Sequence, residues 1–199
     1  MEGIYFYWFM WITWIVTTFL MKKDNIRIKL TIFILINIVI SGFYIVIGDF
    51  NVRVSLLMFL FLGYYLAVKQ KGRKSIAFYM MTLTLTFAYS GILLFRIYDP
   101  VWFLFDYRLI VSIVVSVLAI YLGKQSVQKY ALYIMSVCQG EFVYWFILGE
   151  FHEGLTIGTA ACLDMLVIGC GIIYLRTLSQ KVILYFEQTL QKPAKEKQG

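Results

Sequence analysis

Glu141 and Asp164 stand inside long apolar stretches, where an ionisable side chain is costly and usually has work to do. Glu141 lies seven residues before Leu148, and Asp164 nine after Leu155. Helices ending there would bury the two acids by about 10 and 13 Å at 1.5 Å per residue. The two stretches are consecutive and joined by a short turn, so antiparallel helices would carry both acids at similar depth. Facing each other, two carboxyls in a dry site cannot both ionise cheaply, and such a pair relays protons or holds a cation. Apart, each acid simply hydrogen-bonds across helices, with Gln139, Thr159 or a tyrosine as partner. Asn37 is the one obvious amide to line a conducting path with them.

Other chemistries find little support. The single histidine, His152, stands between Glu150 and Glu153 in a turn, and a solvated turn describes it better than a metal site. Cys138, Cys162 and Cys170 lack CxxC spacing and lie within apolar stretches, which argues against zinc and disulfides and for small buried residues. HExxH, GxSxG and P-loop motifs are absent. The last apolar stretch has no lysine to anchor a retinal Schiff base. We expect neither a cofactor nor a metal, and no enzymatic activity.

The surroundings of the acids define the class. Of 199 residues, 61% are hydrophobic and 15% charged, with mean hydropathy +0.79. Soluble domains run near half apolar and about a quarter charged. Seven apolar segments occur, at residues 4–21, 30–48, 52–68, 75–95, 109–122, 130–148 and 155–175, all of spanning length but the fifth, which reaches a plausible span only with Tyr107 or Gly123 included. Of the 18 Lys and Arg residues, 15 fall in alternate loops and the tail, leaving Arg53, Arg96 and Arg108 on the other side. Positive residues resist translocation, so the rich side is cytoplasmic. The expected fold is an all-α, seven-span transmembrane bundle, N-terminus outside and C-terminus inside, in a bacterial plasma membrane. The net charge of +7 then reflects threading and contact with anionic lipid rather than nucleic acid.

Lys22 and Lys23 follow the first segment and no small-residue cleavage site appears, so it is expected to be a retained span rather than a signal peptide. The external loop 96–108, RIYDPVWFLFDYR, has an interfacial composition and is one candidate docking surface for a protein partner. The other is residues 176–192, where Leu178, Val182, Ile183, Phe186 and Leu190 form an apolar stripe on a cytoplasmic amphipathic helix. That helix either extends the seventh span or lies on the membrane surface. Residues 193–199 are expected to be a disordered tail. The seventh span is rich in small residues, and Gly154, Gly158, Gly169 and Gly171 are candidate helix-packing positions, with a homo-oligomer face among the options. Such a span should be the helix packed most centrally.

The opening Met-Glu-Gly-Ile-Tyr-Phe-Tyr-Trp-Phe-Met-Trp, the Met21-Lys22-Lys23-Asp24 junction and the length resemble the YphA-like proteins of Bacillus-type bacteria, over the whole chain. The resemblance implies a polytopic plasma-membrane protein of spore-forming bacteria, with a role in the sporulating cell's envelope fitting that distribution. It carries over no functional residues. Two functions follow as expectations: a non-enzymatic membrane scaffold that binds partners, or a small proton- or cation-coupled transporter or channel using Glu141 and Asp164.

Overall fold

The computed structural model describes residues 2–48, 50–68, 74–149 and 156–195. Asp49, the basic loop 69–73, the turn 150–155 with His152 and Gly154, and residues 196–199 lie outside the described residues. The elements are helix α1 (Ile4–Ile15), continued by a π-wound turn (Val16–Leu20), α2 (Asn25–Ile40), strands β1 (Tyr44–Ile47) and β2 (Phe50–Arg53), and α3 (Val54–Val68). Then come α4 (Lys74–Tyr98), a 3-10 turn (Pro100–Trp102), α5 (Tyr107–Leu122), α6 (Ser126–Gly149), β3 (Thr156–Ile157) and α7 (Ala160–Lys195).

Helices account for most of the chain, but the all-α expectation needs one correction. Residues 30–48 are not a single helix. The helix stops at Ile40, and after Ser41-Gly42 the run Tyr-Ile-Val-Ile enters an antiparallel hairpin, with Ile45 opposite Val52 and Ile47 opposite Phe50. β-branched side chains favour this extended form. Gly48, at φ +61, allows the tight turn that follows. β2 also pairs in parallel with β3, Val52 opposite Ile157, and so ties the α2–α3 connection to the one before α7.

Asp99 and Asp106 organise the connection between α4 and α5. Each carboxylate accepts a backbone N–H two residues ahead, from Val101 at 3.2 Å and Arg108 at 3.0 Å. These bonds satisfy donors that a helix start leaves open. Gly123 ends α5, and α6 begins at Ser126, so the two helices are antiparallel neighbours.

The core runs along α6, whose residues from Ala131 to Cys138 are all buried. This helix touches α3, α4, α5 and α7, whereas α7 packs mainly on α1, α5 and α6. The central position therefore belongs to α6 rather than to the small-residue helix. Gly140 fits the Tyr89 ring of α4, where a Cβ on residue 140 would fall only 2.5 Å from a ring carbon. α2 lies at the edge, against α1 and α3, burying only Ile34 and Asn37.

α7 is one continuous helix of 36 residues, so the separate segment 176–192 is the extension of the seventh helix, and residues 193–195 continue it. No glycine or proline interrupts the helix between Gly171 and Pro193. Among the described residues, three helices are long and apolar enough to cross a membrane: Ile76–Tyr98, Ser126–Gly149 and Ala160–Glu187. Ile4–Leu20, Val54–Val68 and Tyr107–Leu122 are shorter apolar helices.

Candidate functional site: two buried carboxylates

Asp164 is fully buried in the second turn of α7. Its Oδ2 accepts the backbone N–H of Gly3 and its Oδ1 that of Phe6, both at 2.8 Å. The first turn of a helix leaves donors unsatisfied and carries partial positive charge. A carboxylate from the last helix thus caps the first. The fit is close, because a side chain on Gly3 would approach the Ala160 Cβ at 3.3 Å and the residue sits at φ +90.

Arg108 supplies the countercharge. Its Nη1 donates to Asp164 Oδ2 at 2.6 Å, while Nε and Nη2 grip Asp106 at 2.9 and 2.5 Å. One guanidinium therefore bridges a buried acid and a half-buried one, in the fork geometry that makes such pairs strong. The Arg108 hydrogen bonds hold the Asp106 carboxyl below the usual carboxylate range, against the opposing effect of partial burial. The Tyr5 ring lies 5.2 Å from the same guanidinium. Two further arginines are placed similarly, Arg96 at 3.4 Å from the Tyr107 ring and Arg53 at 4.9 Å from that of Tyr44.

Glu141 is also buried, at 2% exposure, and has a different set of partners. The Tyr89 hydroxyl donates to its Oε2 at 2.8 Å, and the Trp145 indole N–H to its Oε1 at 3.0 Å. The backbone of Thr159 and the thiol of Cys162, which open α7, lie against the same carboxyl. Glu141 thus joins α4 and α6 to the start of α7.

The two acids share no hydrogen-bond partner among the described residues. α7 begins at Ala160 rather than Leu155, so Asp164 is about 6 Å into its helix, while Glu141, about 12 Å from the end of α6 at Gly149, lies against the residues that open α7. Gln139 turns away from Glu141, bonding Tyr64 at 2.8 Å and Thr86 at 3.3 Å. Asn37 accepts from Ser55 at 3.0 Å and donates to the Phe33 carbonyl, linking α2 to α3. The amides therefore do not join the acids along one path.

The glycines meet this chain's own side chains. A Cβ at Gly169 would fall 2.0 Å from the Tyr133 ring, one at Gly171 3.0 Å from Phe9, and one at Gly158 3.0 Å from Leu56. Gly158 also takes φ +78, which L side chains rarely adopt. Gly154 lies outside the described residues. Among the described residues, no group of three His, Cys, Asp or Glu side chains is placed to hold a metal ion.

Arg108 and Trp145 are the members that sequence reasoning missed, and Tyr89 was expected only as an unspecified tyrosine. Arg108 had one signal, being an arginine two residues from an aspartate and beside an apolar run. Nothing distinguishes Tyr89 among 15 tyrosines.

A helical bundle with spans of membrane-crossing length, large apolar side chains such as Trp8, Phe61 and Phe146 turned outward, and acids bonded internally is an α-helical integral membrane protein. The chain belongs to the YphA-like integral membrane protein family, whose model matches residues 2–199. It is 32% identical over 174 residues to the uncharacterized protein YphA of Bacillus subtilis (strain 168), covering 87% of this chain and 86% of that one. No solved structure matches.

Proposed function

We propose that this protein is a seven-span, multi-pass component of a bacterial plasma membrane, N-terminus outside and C-terminus cytoplasmic. Its role is that of a non-enzymatic scaffold which presents the cytoplasmic part of α7 to a protein partner. The sorting of basic residues supports this threading. So does the meeting of the N-terminus with the starts of α5 and α7 at one end of the bundle, through Asp164. The setting we favour is the envelope of a spore-forming cell, on the kinship with a Bacillus subtilis protein.

The observation that carries the scaffold role is the length of α7. Its 36 residues rise about 54 Å, against a hydrocarbon core of about 30 Å. The part beyond the bundle exposes Val182, Ile183, Leu184 and Phe186. A collinear helix cannot lie flat on the membrane, so this apolar surface is offered to protein. The engagement of Glu141 and Asp164 by donors of their own chain favours a structural role for both.

The test is crosslinked capture of the tagged protein from native membranes, comparing wild type with Val182→Asp/Phe186→Asp. A partner recovered in near-stoichiometric amounts and lost in the variant supports the scaffold. Recovery of the protein alone, with pH-gradient flux that Glu141→Gln/Asp164→Asn abolishes, establishes the proton- or cation-coupled transporter instead.

A further inference from the structure

The far end of α1 holds polar groups that the bundle does not use. The Trp14 indole N–H and the Thr18 hydroxyl are closed to solvent and have no hydrogen-bond partner. They are four residues apart and so share a face of one helix. A helical threonine usually returns its hydroxyl to the carbonyl four residues back. Here that carbonyl, on Trp14, is taken by Thr17 at 3.0 Å. Both threonines lie in the π-wound turn Val16–Leu20, an irregularity often found at functional sites. Arg27, at the start of α2, reaches the same turn and donates to the Thr18 carbonyl at 3.3 Å. Lys22 and Lys23 lie on the short connection between the helices. The third orphaned atom, Arg53 Nε, belongs to a guanidinium already bonded to the Tyr44 hydroxyl.

We infer that the Trp14–Thr18–Arg27 corner binds the phosphodiester headgroup of an anionic phospholipid. The chemistry matches, since Trp14, Thr18 and Arg27 each offer a donor and the cations Lys22, Lys23 and Arg27 outnumber the neighbouring Asp24, while a phosphodiester only accepts. The depth matches too. Thr18 lies about 3 Å and Trp14 about 9 Å from the helix end at Leu20, spanning the phosphate and glycerol levels of a leaflet. Both side chains are half-buried, and binding requires their closed polar atoms to turn outward to the lipid. The site requires a membrane but neither the scaffold role nor a particular threading, because both leaflets carry phosphate.

The experiment is native mass spectrometry of the protein released from vesicles of phosphatidylglycerol mixed with phosphatidylcholine. Wild type should retain one phosphatidylglycerol in preference to phosphatidylcholine. Thr18→Val and Trp14→Phe should each lower that retention about tenfold, as expected for one lost hydrogen bond to a charged group. Arg27→Gln should lower it further, while Thr18→Ser should keep it. Melting temperatures separate lost binding from lost folding. Equal retention by all variants overturns the site. So does an equal rise in melting temperature for Thr18→Val in both lipids, which would mark the donors as mere orphans. Displacement of the lipid by millimolar inorganic phosphate would make free phosphate the ligand and overturn the lipid assignment.

Discussion

Arg108 and Asp164 form a 2.6 Å ion pair in which the carboxylate is fully buried and the guanidinium also holds Asp106. The pair is asymmetric. Arg108 has a second acid to turn to, whereas Asp164 has no second cation among the described residues. Removing the arginine should therefore harm the protein more than neutralising the aspartate. We predict a loss of about 3–5 kcal/mol for Arg108→Gln, as for a buried charge left unpaired. Asp164→Asn should lose about 1.5–3 kcal/mol. Thermal unfolding in detergent measures both, and a larger loss for Asp164→Asn would contradict the assignment.

Glu141 should behave differently, because its partners are neutral donors. Glu141→Gln keeps an acceptor for Tyr89 or Trp145 and should cost no more than about 1 kcal/mol. Tyr89→Phe should cost about 1–1.5 kcal/mol in the wild-type background and less beside Glu141→Leu. The double-mutant cycle measures the shared bond. Additive losses would mean that the hydroxyl and the carboxyl do not interact.

The close approach of α6 to α7 depends on Gly169. Gly169→Ala places a methyl inside the Tyr133 ring and should cost about 1–3 kcal/mol or prevent accumulation. Replacing the ring in Gly169→Ala/Tyr133→Leu should recover part of the loss. Gly42→Ala, where nothing lies within 4 Å, serves as the control and should be neutral. Expression level and melting temperature report all three.

The Asp106–Arg108–Asp164 ion cluster should leave a mark on acid stability. Because the Asp106 carboxyl titrates below its ordinary value of 3.8, its contribution is complete above that pH. It fades as pH falls through the lower folded value. Wild-type melting temperature should thus be insensitive to this group from pH 5 upward and fall more steeply than that of Asp106→Asn below about pH 4. Equal slopes for the two proteins would remove Asp106 from the cluster.

How much of this was legible in the sequence depends on whether the signal is local. Glu141 and Asp164 stood out because a carboxylate in an apolar run is conspicuous. Their partners did not, because Gly3, Arg108 and Asp164 are brought together only when three distant segments meet. The hairpin at Tyr44–Ile47 was hidden because hydropathy does not distinguish an apolar strand from the last turns of an apolar helix. Gly42 and the β-branched run were the available clues. The central place of α6 was invisible for a related reason, since side chains facing lipid and side chains facing protein are equally apolar. The continuity of α7 had a readable basis in the unbroken stripe from Leu178 to Phe186.

The cap on α1 has a consequence for how the protein is made. The backbone donors of Gly3 and Phe6 leave the ribosome 161 and 158 residues ahead of the carboxylate that satisfies them. Until Asp164 is synthesised and in place, α1 waits with its end unfinished. A chain cut short before its last helix can never complete its first, and it keeps a bare helix end by which a membrane protease could tell it from the finished product.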